Sequence, residues 1–198
     1  MSVFINVFYI CIVKRSEIKQ HIIETASQLF YRNGYNLTGI NEIISTSGVA
    51  KATLYNHFKS KEDICVAYLQ HKNNSFIKQI EAFCLSKELG KGRVLALFEF
   101  LELFFEDQDF NGCWCIKTVA EIPRDNEIIL TEIQTQKRDF IRFIEQLIID
   151  NIEDINVQES FMMAKQVYLL YEAAVSESHL HKDVWPINSS KQLCNKII

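Results

Sequence analysis

A chain of 198 residues with 48% hydrophobic content can bury a substantial core, which excludes disorder over its whole length. Six Gly and two Pro supply too few turns for an all-β fold, so the fold class is all-α, with about nine helices. The net charge of −4 excludes a uniformly basic chain, and the six scattered cysteines lack the spacing of a secreted disulfide framework, which points to a reducing cytoplasm.

Residues 1–13 are apolar apart from Ser2 and Asn6 and are followed by Lys14 and Arg15. A signal peptide carries its positive charge ahead of the apolar run, and a membrane span needs roughly 20 residues. The segment is therefore read as an N-terminal extension, with a short membrane-associating or self-packing piece as the alternative. From Ser16, the residues Ile18, Ile22, Ala26, Leu29 and Phe30 form one helical stripe that should stop at Asn33-Gly34. Thr38 is expected to N-cap a short second helix carrying Ile40, Ile43 and Ile44, broken by Ser47-Gly48. A third short helix follows at about 50–57, and Ser60 should cap a long fourth helix whose first turn holds Glu62 and Asp63. Beyond residue 75 the helices lengthen. Their stripes are Val94, Leu97, Leu101, Phe104 and Phe105; then Ile133, Phe140, Ile144 and Leu147; then Phe161, Ala164, Tyr168, Tyr171 and Val175. Breaks are expected at 89–92, 107–112, 123–126 and 151–156. The implied organisation is an extension at 1–13, a small helical module at 14–62 and a helical body at 63–198.

Residues 38–58 hold what a helix-turn-helix needs: a short helix, a tight turn admitting a small residue, and a second short helix with a free outer face. Val49, Leu54 and Phe58 can turn inward onto Ile40, Ile43 and Ile44. Lys51, Thr53, Tyr55, Asn56 and His57 are left outside, residue types able to meet phosphates or base edges. The module is also locally basic. Seven basic residues face four acidic ones between Lys14 and Glu62, which leaves an acidic body that DNA should avoid.

The run Ser47-Gly48-Val49-Ala50-Lys51-Ala52-Thr53-Leu54-Tyr55-Asn56-His57-Phe58-Lys59-Ser60-Lys61-Glu62 resembles the signature of TetR/AcrR transcriptional regulators, and Ala26, Leu29-Phe30, Gly34 and Thr38 match upstream. The resemblance implies that Thr38, Tyr55 and Lys61 grip phosphates of double-stranded operator DNA. It places Lys51, Ala52 and Thr53 nearest the bases, with Asn56 on the same face and His57 at the groove edge. Ala50 replaces a common hydroxyl residue and Ala52 a common Gly. The plainer alternatives are a core aromatic for Tyr55, a surface residue for His57, and solvated charges for Lys59 and Lys61.

In the same family the body is a ligand-binding and dimerisation domain whose last two long helices pair in a homodimer, here about 157–198. Gly112-Cys113-Trp114-Cys115-Ile116, followed by Ala120-Glu121, resembles the start of the sixth helix in a branch where a few members sense electrophiles or oxidants through that cysteine. A helix N-terminus favours a thiolate at Cys113. Buried filler is the commoner role of cysteine. Cys113 and Cys115, two apart, should face differently on a helix, so at most one of them is expected in a common site, and the same holds for His179 and His181. No metal site or cofactor is called for. An effector pocket is expected among Phe98, Leu101, Phe105, Cys113, Trp114, Phe140, Phe143, Tyr168 and Tyr171, suited to a small hydrophobic molecule. The reading is thus a DNA-binding repressor released by such an effector or by cysteine modification, with no enzymatic role and no membrane partner. The alternatives are a small helical enzyme with Cys113 as nucleophile and His179 as base, and an interaction protein of the same fold that no longer binds DNA.

Overall fold

The computed structural model describes residues 15–198 in full and only the backbone of residues 2–14, so the role expected of 1–13 lies outside the described side chains. Among the described residues there are nine helices and no strand: α1 (Ser2–Asn33), α2 (Ile40–Ser47), α3 (Lys51–His57), α4 (Lys61–Leu85), α5 (Lys91–Phe105), α6 (Trp114–Glu121), α7 (Glu127–Ile149), α8 (Val157–His181) and α9 (Trp185–Ile197). None of the described helices is long and apolar enough to cross a membrane. The breaks expected at 107–112, 123–126 and 151–156 fall between helices, whereas the one expected at 89–92 runs into α5, which already begins at Lys91.

Two glycines fix the turns of the first module. Gly34 has φ 89° and closes α1 by donating its N–H to Phe30 O at 2.9 Å. Gly48 has φ 68° and ψ 8°, and its N–H bonds to Ile44 O at 3.0 Å, which ends α2. Both conformations are left-handed, the region a glycine reaches without steric cost.

The cap of α2 differs from the expectation. Thr38 is fully buried and donates its hydroxyl to Gly34 O at 2.8 Å, satisfying a carbonyl left free at the end of α1. Gly39 is the N-cap instead, with Glu42 Oε2 accepting from its N–H at 3.4 Å. Ser60 caps α4 as expected, accepting from Asp63 N at 3.1 Å, while Asp63 Oδ2 accepts from Lys59 N at 2.9 Å.

The chain divides into two compact units, Met1–Lys72 with Thr118–Glu132, and Asn73–Lys117 with Ile133–Ile198. This differs from the expected boundary at 62/63, because α4, α6 and α7 each contribute residues to both units. In the first unit α1 packs on α2 and α3, and Ile22, Ala26, Phe30, Ile43, Leu54 and Phe58 are buried. Phe30 also meets Tyr68 of α4, ring centroids 5.5 Å apart. The end of α6 belongs here: Glu121 Oε2 accepts from Asn36 N at 2.7 Å, and Asn36 Nδ2 donates to Glu121 O at 2.9 Å. A Cβ on Gly34 would overlap the Glu121 carboxylate.

In the second unit α5 packs on α8 and α9, and α8 packs on α9. The core gathers Val94, Leu97, Phe98 and Leu101 of α5, Phe140 and Ile144 of α7, Ala164, Val167 and Tyr171 of α8, and Ile187 and Cys194 of α9. Asn156 caps α8 by accepting from Glu159 N at 3.0 Å, and the Glu159 carboxylate accepts from Asn156 N at 3.2 Å.

Two stability outcomes follow. Leu54→Ala removes the one fully buried side chain of α3 and should cost about 2–5 kcal/mol, read as a lowered midpoint in thermal or urea unfolding. Gly34→Ala should cost about 1–3 kcal/mol from its backbone conformation. Adding Glu121→Ala relieves the overlap but not that conformation, so the double variant should stay less stable than Glu121→Ala alone. Equal midpoints for those two proteins would contradict the role given to Gly34.

Candidate DNA-binding face and effector pocket

Helix α3 has seven residues, and its sequence divides them by face. Leu54 points into the core, while Lys51, Ala52, Tyr55 and Asn56 are exposed and Thr53 and His57 half-buried. Tyr55 is 43% exposed, which sets aside the alternative of a core aromatic. Ala50, the N-cap, makes no side-chain bond to the first turn, so the backbone donors of that turn have no side-chain cap. The outer face therefore offers an ammonium, a hydroxyl, a phenol, a carboxamide and an imidazole.

Beside it lies a surface cleft lined by Arg15, Ser16 and Lys19 of α1 with Asn56 and His57 of α3. Partial burial lowers the His57 pKa below its ordinary value, and the charges of Arg15 and Lys19 lower it further. Both residues belong to the basic excess of the module, which does not by itself locate them at the face. The cluster Lys14, Arg15 and Lys19 around Ile18 is the signal available for them.

Lys61, at the start of α4, holds its ammonium 4.2 Å from the centroid of the Tyr35 ring. The Tyr35 hydroxyl donates to Glu62 Oε1 at 3.3 Å. Burial and the Glu62 charge push the Tyr35 pKa well up. Thr38, expected to reach phosphate, is turned inward, so its hydroxyl is not part of this face.

The second unit holds a small cavity of about 40 Å³. Its wall brings together five of the residues expected there, Leu101, Cys113, Trp114, Phe140 and Tyr171. Four others are elsewhere. Phe98 is fully buried in the core, Phe105 packs on Phe110, and Phe143 and Tyr168 pack behind Phe140 with centroids 6.2 and 6.3 Å away. Phe76, Cys115, Gln136, Lys137 and Glu172 also line the wall, with Asn73, Phe104, Gly112 and Val175, and none of these was among the expected residues. Lys137 and Glu172 sit at helical spacing on the apolar stripes of α7 and α8, but lysine and glutamate are rarely buried unless paired, so the linear pattern alone does not assign them to a pocket wall.

Lys137 Nζ donates to Glu172 Oε1 at 2.6 Å and to Cys113 Sγ at 3.3 Å. Burial alone would lower the Lys137 pKa, but the charges of Cys113 and Glu172 outweigh it and hold the ammonium form. Cys113 is lowered to about 7, first through a hydrogen bond from Cys115 and then, against the opposing effect of burial, through the Lys137 charge. The Cys115 thiol moves upward, through the bond to Cys113 and through burial, and Gln136 Oε1 lies 3.6 Å from its sulfur as an alternative acceptor of its one proton.

Both sulfurs thus share one cavity, against the expectation that residues two apart face differently. The reason is local. Cys113 precedes α6, its carbonyl accepting from Lys117 N at 3.1 Å, so only Cys115 obeys the angular spacing of the helix. His179 packs on Gly112 and on Phe110, ring centroid 6.0 Å away, while the polar neighbours of Cys113 are Lys137, Cys115 and Glu172.

The family described as "Bacterial regulatory proteins, tetR family" matches residues 22–68, which covers α2, α3 and the start of α4. The HTH-type transcriptional repressor NemR of Escherichia coli (strain K12) is 23% identical over 187 residues, 92% of this chain and 94% of that protein. A crystal structure of E. coli NemR in its reduced form superposes with a TM-score of 0.80 at 23% identity, covering 91% of this chain and 97% of the other. A TetR-family transcriptional regulator from Streptomyces coelicolor superposes with a TM-score of 0.82 at 22% identity, covering 92% of this chain and 94% of the other. With the helix-turn-helix in place and the fold shared over nearly the whole length, the chain belongs to the TetR family and is a DNA-binding transcriptional regulator.

Proposed function

We propose that this regulator is a cytoplasmic repressor that binds a palindromic operator as a homodimer and is released by chemistry at the Cys113 pocket. The observation that carries the reading is the outer face of α3, polar and exposed, on a helix whose inner residue Leu54 is fully buried. Lys51, Ala52, Thr53 and Asn56 are its groove-facing set; Tyr55 and Lys61 meet phosphate, with His57, Arg15 and Lys19 along the edge. Homodimerisation through about 157–198 is supported by Met162, Leu169, Leu180 and Leu193, apolar side chains left exposed on α8 and α9.

Cysteine modification is the favoured route of release. Preformed pockets for drug-sized ligands run to roughly 300–1,000 Å³. The cavity of about 40 Å³ is far smaller, whereas its thiol is already activated by an ammonium at 3.3 Å. Helix α6 starts beside Cys113 and ends at Glu121, whose carboxylate holds the Asn36 backbone in the turn before α2. Displacing α6 disturbs that turn, and two recognition helices then no longer match half-sites roughly 34–36 Å apart.

Operator binding should weaken steeply with salt, as counterions return to the phosphates. Lys51→Ala combined with Tyr55→Phe should lower operator affinity about tenfold or more, which corresponds to roughly 1.4 kcal/mol. Fluorescence anisotropy with a fragment upstream of its own gene measures both. Equal affinity for that fragment and for random DNA would refute the repressor reading, and unchanged affinity in the double variant would refute the assigned face.

Alkylation followed by mass spectrometry tests the cysteine. The reactive form is the thiolate, so the Cys113 rate should reach half its plateau near pH 7. Cys84 and Cys194, pushed up to about 12 chiefly by burial, should lag behind it. Lys137→Gln removes the charge that favours the thiolate and should move the Cys113 midpoint to higher pH. Labelling of Cys113 no faster than of Cys84 or Cys194 would exclude it as the sensor.

A further inference from the structure

Cys113 and Cys115 differ from the other described cysteines in lying together. Cys84 and Cys194 are buried singly in the apolar core, whereas Cys113 and Cys115 line one cavity and lie within hydrogen-bonding reach of each other. An isolated nucleophile would need only one of them. A second sulfur in the same small space suits a ligand that is bound at two points.

The surroundings narrow its chemistry. The Lys137 ammonium lies 3.3 Å from Cys113 Sγ, which opposes a metal cation but not a neutral thiophile. The other oxygen of its partner, Glu172 Oε2, is buried and has no hydrogen-bond partner among the described residues, so the wall keeps an acceptor for an incoming donor. One water needs roughly 10–15 Å³ of such space. The cavity of about 40 Å³ therefore admits a ligand of a few heavy atoms.

We propose that the Cys113–Cys115 pair is a chelating site for a small neutral trivalent arsenical, arsenous acid, held through both sulfurs with its remaining hydroxyl donating to Glu172 Oε2. Two As–S bonds form and two As–O bonds break. The two departing hydroxyls leave as water with the two thiol protons, and no atom changes oxidation state. Soft sulfur ligands prefer such a soft centre over hard oxygen. The second bond is made within a complex that already exists, so the pair binds far more tightly than either thiol alone. The site rests on the reading of this pocket as the effector site and gives that reading a substrate class.

The test uses the full-length protein with sodium arsenite as the probe, read by native mass spectrometry and by Trp114 emission in a Trp185→Phe background. The expected adduct is one arsenic per chain that has lost two waters. Cys113→Ser and Cys115→Ser should each weaken binding roughly a hundredfold, the range that tethering two binding events supplies. An adduct that has lost one water, or a Cys115→Ser protein that binds as tightly as its parent, overturns the proposal. Should a serine variant fail to fold, the water count on the parent protein still decides.

Operator affinity is measured separately. Arsenite held by both sulfurs with operator affinity unchanged upholds this site and overturns the effector reading of the pocket. Release on alkylation of Cys113, with no arsenite adduct, upholds that reading and overturns the chelate.

Discussion

Helix α3 is too short to exist alone. Isolated helices below roughly 12–15 residues are marginal in water, and this one has seven and lacks a side-chain cap. Its shape is imposed by one contact: Leu54, fully buried, anchors it to the layer made by α1 and α2, with Phe58 buried one turn later. That contact settles which way the outer residues point. The outward placement of Lys51, Tyr55 and Asn56 therefore depends on side chains turned into the core. The turns on either side do the rest, Gly48 by a left-handed backbone and the Ser60–Asp63 cap by starting α4 at a fixed place.

The pocket in the second unit obeys a different constraint. An ammonium among aromatic side chains is costly unless anions lie beside it. Glu172 Oε1 at 2.6 Å and Cys113 Sγ at 3.3 Å supply that compensation for Lys137. The arrangement that keeps the lysine charged also stabilises the thiolate, so structural need and reactivity are one interaction seen from two sides. Low-dielectric walls such as Phe76, Phe140 and Tyr171 strengthen it, since the same charges would attract far less in water.

What could be read from the sequence follows from how locally each feature is determined. Helix ends at Gly34 and Gly48, the inward set Leu54 and Phe58, and the exposed set on α3 depend on residues within a few positions of one another, and the linear pattern holds that information. Thr38 shows the limit. A hydroxyl before a helix can cap it or bond backward, and the choice was made by the carbonyl of Gly34, freed at the end of α1. The pocket lies further out of reach, because Cys113, Lys137 and Glu172 meet from separate parts of the chain. Lys137 stands at helical spacing from Ile133 and Phe140, and Glu172 from Tyr168 and Val175, so periodicity permits both to face inward. It is their charge that argues against burial, and only the pairing of α7 with α8 across Lys137–Glu172 overcomes it. The C-x-C pair was misjudged for a smaller reason, one residue of helix boundary.

Helix α6 is the element on which the proposed response turns. Eight residues at about 1.5 Å each give a rod roughly 12 Å long, short enough to move as one piece. Its first turn is fixed by the Cys113 carbonyl, which accepts from Lys117 N at 3.1 Å, so a change in the backbone at Cys113 acts directly on the helix start. Its last residue, Glu121, is fixed twice to Asn36, through the side chain and through the backbone carbonyl. Gly34 leaves room for that carboxylate where any other residue would fill it. On the proposed reading, bulk added at Cys113 is paid for at the Glu121 end, where a two-point grip on Asn36 must loosen or drag the turn with it. Either outcome alters the ground on which α2, and α3 after it, are built.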